Sequence, residues 1–179
     1  LPIHMSFLVI YERMMIMSTP LYEAAIQALK KREVTLDQIA DLVLFLQKKY
    51  YPNLTKQECQ YNICRVLDKR EVQNTILTAV ELDILAENKQ LTEPVQTIIY
   101  SDDGLYGVDE TLALSIIHIY GSIGFTNFGH LDKEKPGSLS HLNAHKNGAC
   151  HTFLDDVVGA IAAAAASRLA HSIAEKKED

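Results

Sequence analysis

Near the C terminus, eight consecutive residues carry almost no side-chain bulk apart from one isoleucine. This stretch reads Gly159-Ala160-Ile161-Ala162-Ala163-Ala164-Ala165-Ala166. Alanine has the highest intrinsic helix propensity, and small side chains on every face let neighbouring helices approach closely. We therefore expect a helix that starts at His151-Thr152, runs to about Ala174 and lies at the centre of a helical bundle.

Short polar motifs mark the starts of further helices. Thr35-x-x-Gln38 and Thr55-x-x-Glu58 have the form of capping boxes, and Ser18-Thr19-Pro20 combines a cap with a first-turn proline. Apolar residues at helical spacing follow each start. The pattern predicts an all-α, single-domain multihelical bundle with a central small-residue helix. We assign this domain to residues 17–179 and interpret residues 1–16 as an N-terminal extension.

The segment Thr111–Leu131 contains no charged side chain. Its length is close to what a bilayer span requires, but polar residues such as Ser115, Thr126 and Asn127 dilute it. We predict a buried helix from Asp109 to about Ile123. A long loop is expected from residue 133 to residue 150, because this stretch lacks apolar periodicity.

Composition excludes several classes of function. The 179-residue chain has a net charge of −6, which disfavours nucleic-acid partners because they require a basic face. Cys59, Cys64 and Cys150 are odd in number and lack CxxC spacing, so we expect buried, reduced thiols in a cytoplasmic protein.

Acidic residues in the C-terminal part form a pattern that favours metal binding. Asp109-Glu110 and Asp155-Asp156 are adjacent pairs at predicted helix starts, and Asp132 shares a charged turn with Lys135. Carboxylate oxygens suit Mg²⁺, and a lysine can neutralise phosphate oxygens. Because adjacent helical residues point about 100° apart, one acid of a pair can bind a metal while the other orients water or a lysine.

Each acidic feature also has a purely structural explanation. Negative charge at a helix N-terminus opposes the helix dipole, which would account for Asp109-Glu110. Thr152-x-x-Asp155 has the form of a capping box, and the turn around Asp132 could be a solvated loop. Finding the same acid pair at the heads of two apolar helices weakens this explanation, because like charges repel each other unless a cation lies nearby.

Three motifs together resemble the phosphatidylglycerophosphatase A family. Leu131-Asp132-Lys133-Glu134-Lys135-Pro136 and Leu154-Asp155-Asp156-Val157-Val158-Gly159-Ala160 resemble its Asp-x-x-Lys-Pro and Asp-Asp-x-x-Ala-Gly elements. Val108-Asp109-Glu110 looks like the family's upstream Asp-Glu motif. From about Met17 onward, the chain is still more similar to the soluble Gram-positive branch, often labelled low-temperature requirement C protein.

The resemblance implies an all-helical, Mg²⁺-dependent lipid phosphatase that hydrolyses phosphatidylglycerophosphate to phosphatidylglycerol and phosphate. Its partner would be a phospholipid at the membrane surface, so we expect a cytoplasmic protein, peripheral on the inner face of the membrane and homo-oligomeric. The metal ligands that the resemblance implies are Asp109, Glu110, Asp132, Asp155 and Asp156. The catalytic residues that it implies are Asp132, Lys135 and Asp156.

Two other functions stay open at this stage. The better-known family members are integral membrane proteins with a Pro-Gly-Thr motif, which is missing from this sequence. One alternative is therefore a non-catalytic helical oligomer that binds a phosphorylated ligand or a protein partner, for example in cold adaptation. The other is a soluble phosphatase for a small phosphomonoester. Covalent phospho-aspartate chemistry and direct attack by water are both compatible with the sequence.

Overall fold

The computed structural model describes residues 19–144 and 148–178, and these residues form helices joined by turns. In chain order the helices are α1 (Pro20–Lys31), α2 (Leu36–Gln47), α3 (Lys56–Leu67), α4 (Arg70–Glu87), α5 (Val95–Tyr100), α6 (Val108–Ile117), α7 (Gly121–Glu134), α8 (Ser138–Leu142) and α9 (Leu154–Glu178). The described part of the chain contains no β-strand. The predicted all-α fold is therefore confirmed. The predicted extension, residues 1–16, lies outside the described residues.

The predicted helix caps are present at the starts of α1, α2 and α3. The Thr19 hydroxyl accepts a hydrogen bond from the backbone N–H of Tyr22. At α2 and α3, Thr35 and Thr55 form complete capping boxes with Gln38 and Glu58. These local hydrogen bonds satisfy backbone donors that have no partner within the helix, so the sequence sets these boundaries without tertiary help.

Helix α9 lies at the centre of the bundle, as the small-residue stretch predicts. Every residue from Phe153 to Ser167 is buried, and α9 packs against α2, α3, α6 and α7. The Cβ of a residue replacing Gly159 would be in van der Waals contact with Phe128 on α7, at 3.6 Å from its Cε2. The small side chains thus allow several helices to pack closely against α9, which lies at the centre of the core.

The start of α9 differs from the sequence expectation. The helix begins at Leu154 rather than at His151-Thr152 and runs on to Glu178, beyond the expected end at Ala174. The Thr152 hydroxyl donates to the carbonyl oxygen of Ile99 at 2.7 Å instead of forming a capping box with Asp155. The hydrogen bond to Ile99, which is distant in the sequence, takes the place of the local capping box. A local sequence motif cannot predict such a bond.

The uncharged segment does not form the single helix expected from Asp109 to Ile123. Helix α6 ends at Ile117, residues His118–Tyr120 form a 3₁₀ turn, and α7 begins at Gly121. Gly121 adopts φ 68° and ψ −165°, a conformation that side chains disfavour, so the chain changes direction there. In the described part of the chain, no helix has both the length and the hydrophobicity needed to cross a membrane.

The expected loop from residue 133 to residue 150 is also interrupted by structure. Helix α7 extends to Glu134, so Asp132 lies on a helix rather than in a turn, and α8 lies within the predicted loop. Glycines at 121, 124 and 129 disfavour α7, but Phe128 and Leu131 are buried on the helix face that packs on α9. Burial of this face outweighs weak helix propensity.

The three cysteines are free and buried, as predicted.

Candidate metal centre

Three helix ends meet at one position on the bundle. They are the start of α6, which carries Asp109 and Glu110, the end of α7, which carries Asp132 and Lys135, and the start of α9, which carries Asp155 and Asp156. All the residues implicated by the sequence therefore lie in one region, although nearly fifty positions separate the first from the last.

Asp109, Glu110 and Asp156 form a compact carboxylate triad. One carboxylate oxygen from each residue lies within 4.8 Å of the others. Asp109 and Asp156 are 7% and 5% exposed, respectively, so the triad is largely withdrawn from solvent. Three carboxylates at this separation can share one hard divalent cation, which would offset their mutual repulsion.

Two atoms of the triad have no hydrogen-bond partner. Oδ1 of Asp109 and Oε2 of Glu110 are buried within the described structure, and neither accepts a hydrogen bond. Buried carboxylate oxygens without partners are costly. Oxygen-only donors with unused lone pairs are what Mg²⁺ or Mn²⁺ requires, so the residues present fit a divalent cation.

The protonation of Asp109 and Asp156 depends on burial. Burial, and to a lesser extent the neighbouring carboxyl group of Glu110, raises the pKa of Asp109 to about 7. Burial and the negative charge of Asp155 raise the pKa of Asp156 to about 8, against the opposing effect of Lys135. Without a cation, these carboxyl groups would hold protons near neutral pH; with a cation, they would release them.

Lys135 links α7 to α9 beside the triad. Its Nζ lies 2.8 Å from Oδ1 of Asp132 and 2.8 Å from Oδ2 of Asp155, and 3.7 Å from Oδ1 of Asp156. Burial alone would lower the pKa of Lys135, but attraction to Asp155 and the other acids outweighs it and the pKa is raised. The lysine is thus a fixed positive charge in direct contact with the acidic cluster.

Lys135 lies beside Asp155 because helix α7 ends immediately before it. Lys135 caps the C-terminus of α7 in the left-handed conformation, with φ 42° and ψ 51°, and its N–H donates to the carbonyl of Leu131. The proline after it cannot continue the helix. The Lys-Pro pair therefore both ends α7 and directs the ammonium group towards α9.

The five candidate carboxylates fall into two groups. Asp156 belongs to the triad, whereas its neighbour Asp155 uses Oδ2 for Lys135 and Oδ1 for the backbone N–H of Asp156. This division agrees with the 100° angle between adjacent helical side chains. Asp132 also pairs with Lys135 rather than with the triad. Metal binding by Asp132 and Asp155 stays a prediction, and in this geometry their shared partner is the lysine.

One buried acid next to the site was not identified from the sequence. Asp83 on α4 is fully buried and accepts hydrogen bonds from the backbone N–H groups of Phe153 and Leu154, at 3.1 and 3.0 Å. The apolar spacing of α4 by itself indicates packing only. A signal was present, because Asp83 continues the buried spacing of Ile76, Ala79 and Val80, where an acid is unexpected.

The chain is similar to a known protein family over most of its length. The model of the family described as phosphatidylglycerophosphatase A matches residues 7–171. The sequence is 65% identical over 143 residues to the protein named "Uncharacterized protein YutG" of Bacillus subtilis (strain 168), covering 80% of this chain and 86% of that protein.

Solved structures share the fold as well. The low temperature requirement C protein from Listeria monocytogenes has a TM-score of 0.85 and 59% identity, covering 87% of this chain and 98% of that chain. A protein of unknown function from Bacillus stearothermophilus has a TM-score of 0.84 and 58% identity, covering 88% and 98%. At these identities the similarity includes the sequence as well as the fold.

Proposed function

The chain belongs to the phosphatidylglycerophosphatase A family, and from this premise we propose that it is a Mg²⁺-dependent phosphatase that hydrolyses phosphatidylglycerophosphate to phosphatidylglycerol and phosphate. The observation that carries the proposal is the largely buried triad of Asp109, Glu110 and Asp156 in contact with a lysine-centred ion-pair cluster. A cation site beside a fixed positive charge suits a phosphate monoester, whose oxygens carry most of its charge.

Asp109, Glu110 and Asp156 would hold the metal ion. A bound Mg²⁺ would polarise the phosphoryl oxygen and lower the pKa of a coordinated water. The three carboxylates would contribute a negative, oxygen-only environment, and Asp109 and Asp156 are buried. Three protein ligands also leave coordination positions for water and substrate, because Mg²⁺ prefers six ligands.

Lys135 would bind the phosphate. Its ammonium group has three hydrogens, and the contacts at 2.8 Å to Asp132 and Asp155 use two of them. The third hydrogen is available for a phosphate oxygen. Asp132 and Asp155 thus hold the ammonium in one place and keep it charged, so that no reorganisation is needed when substrate arrives.

Asp132 is the most exposed acid of the ion-pair cluster, with 42% of its side chain accessible. Two roles are compatible with this position. Asp132 could attack phosphorus, which would release the alcohol and form a phospho-aspartate that water then hydrolyses, or it could take a proton from a water that displaces the alcohol directly. Trapping of a labelled phospho-enzyme would distinguish them.

A lipid substrate is supported by the apolar surface of the segment that precedes Asp109. Exposed large apolar side chains are frequent in the segment that leads to Asp109, namely Val95, Tyr100, Leu105 and Val108. Leu105 is 96% exposed, and its neighbour Tyr106 packs edge-on against Phe153 just before α9. These side chains could contact acyl chains while the headgroup enters the site, which agrees with a peripheral enzyme on the inner face of the membrane.

The experiment is a phosphate-release assay with purified protein. Phosphatidylglycerophosphate in detergent micelles and glycerol 3-phosphate would be compared, each with Mg²⁺ or with EDTA. We expect EDTA-sensitive release from the lipid, loss of most turnover in Asp156→Asn, and little change in Asp68→Asn, an acidic control at the end of α3. Release from glycerol 3-phosphate alone would indicate a small-molecule phosphatase, and no release from either would indicate a non-catalytic binding protein.

A further inference from the structure

Two carboxylates on α4 bind the backbone segment that leads into α9. Asp83 accepts the N–H groups of Phe153 and Leu154 through its two separate oxygens, at 3.1 and 3.0 Å. One helical turn later, Oε2 of Glu87 accepts the N–H of Cys150 at 3.0 Å. The segment from Cys150 to Leu154 is therefore attached to α4 at three backbone positions.

Arg32 completes this attachment. Its Nη2 donates to Oε2 of Glu87 at 2.9 Å and to the carbonyl oxygen of Cys150 at 2.7 Å. Glu87 is thereby held between an arginine and the segment, and Cys150 is bound through both its N–H and its carbonyl. The side chain of Arg32 is 9% exposed and that of Glu87 is 31% exposed, so this ion pair is partly shielded from solvent.

The hydrogen bonds of Asp83 lie directly beside two of the candidate site residues. Leu154 is the first residue of α9, and Asp155 and Asp156 are the next two. The N–H groups at a helix start have no partner within the helix, and Asp83 satisfies two of them from another element. A shift of Leu154 would be passed directly to Asp155 and Asp156, since one rigid helical turn contains all three.

We propose that Asp83 is a positioning residue for the metal centre, which holds the carboxylate of Asp156 in register with those of Asp109 and Glu110. This inference rests on the proposed metal site. Metal coordination tolerates only small displacements of its ligands, and groups that orient a ligand typically change metal affinity by about 10- to 100-fold when removed. Asp83 acts through two backbone hydrogen bonds rather than by touching the ion.

A merely structural role for Asp83 predicts a different result. In that case its replacement would lower stability, as replacement of any buried hydrogen-bonded residue does. Gln73 offers a matched control because it lies on the same helix, is 4% exposed, and donates to the carbonyl of Leu67 at 2.8 Å, at the end of α3. Gln73→Leu should lower stability without moving α9.

The test is Mn²⁺ binding by isothermal titration calorimetry and electron paramagnetic resonance. We expect Asp83→Asn to raise the Mn²⁺ dissociation constant by about tenfold or more. The asparagine side chain has one acceptor oxygen, whereas Asp83 accepts one backbone N–H through each of its two oxygens. Gln73→Leu should change it less than about twofold. Equal Mn²⁺ affinity in folded Asp83→Asn and the wild type would overturn the inference.

A second variant covers the case in which Asp83→Asn does not fold. Asp83→Glu keeps the charge and both oxygens but displaces them by about one methylene group, so it should also weaken Mn²⁺ binding while remaining helical by circular dichroism. Unchanged affinity in folded Asp83→Glu would likewise overturn the inference. Wild-type protein that does not bind Mn²⁺ at all would instead refute the metal site itself, and with it the proposed function.

Discussion

Nζ of Lys135 lies 2.8 Å from Oδ2 of Asp155, which joins the end of α7 to the start of α9. Only 8% of the Asp155 side chain and 23% of the Lys135 side chain are accessible to solvent. The contact fixes the ammonium beside the triad of Asp109, Glu110 and Asp156, and it counters the cost of placing adjacent carboxylates at one helix start. The site is therefore partly neutralised before any cation or phosphate binds.

Lys135→Met should impair both stability and turnover. Removing the ammonium leaves the buried carboxyl group of Asp155 without its charged partner, and we expect the free energy of unfolding to fall by about 2 kcal/mol. Phosphate release should fall at least a hundredfold, because the phosphate loses its fixed cation. Urea denaturation and the phosphate-release assay would measure these effects.

Lys133→Met is the control for this change, since Lys133 is exposed on the same helix. Lys133→Met should leave the free energy of unfolding and the rate of phosphate release near their wild-type values. An active and stable Lys135→Met protein would contradict the role assigned to the lysine.

The stability of the metal-free protein should fall as pH rises from about 4 to about 8. Burial raises the pKa of Asp83 and of Asp109 to about 7 and that of Asp156 to about 8. The unfolded values are close to 4. Between the unfolded and the folded pKa values, the folded state binds more protons than the unfolded state. These three groups therefore stabilise the fold at low pH, and their contribution is lost as the pH rises.

A divalent cation should reverse this trend. Because the metal binds only after protons leave Asp109 and Asp156, the gain in melting temperature from Mn²⁺ or Mg²⁺ should increase between pH 5 and pH 8. Differential scanning calorimetry with EDTA and with metal would test both effects. A metal-induced gain that is larger at pH 5 than at pH 8 would disagree with the structure.

Two glycines of α7 should respond to alanine in opposite directions. Gly121 has φ 68° and ψ −165°, so Gly121→Ala should lower the free energy of unfolding by about 1 to 3 kcal/mol. A Cβ at Gly129 would meet no atom within 4 Å, and Gly129→Ala should raise it by about 0.5 to 1 kcal/mol through helix propensity. Urea titration of both variants would measure these changes, and a Gly121→Ala protein as stable as the wild type would contradict the prediction.

The sequence predicts features that depend on local hydrogen bonds and on side-chain size. The capping boxes at Thr35 and Thr55 act within four residues, and the alanines of α9 permit close packing on every face. The acid pairs at the starts of α6 and α9 can also be predicted from the sequence, because helix starts are recognised from local motifs. Their convergence is a tertiary event, which motif spacing alone does not establish.

Other features depend on contacts between distant parts of the chain. The hydroxyl of Thr152 matches a capping box, yet it bonds to Ile99, and the start of α9 is capped by Asp83 from α4. The break at Gly121 is accompanied by a hydrogen bond from Ser167 to the carbonyl of Tyr120, 47 positions away. In each case a partner distant in sequence outweighs the local preference.

The most direct measurement is the anomalous difference map of a crystal soaked with Mn²⁺. A single strong peak is expected at about 2.1 to 2.3 Å from carboxylate oxygens of Asp109, Glu110 and Asp156, with Lys135 still paired to Asp132 and Asp155. A fully occupied peak elsewhere, or none at the triad under saturating Mn²⁺, would contradict the proposal that these three carboxylates form a metal centre.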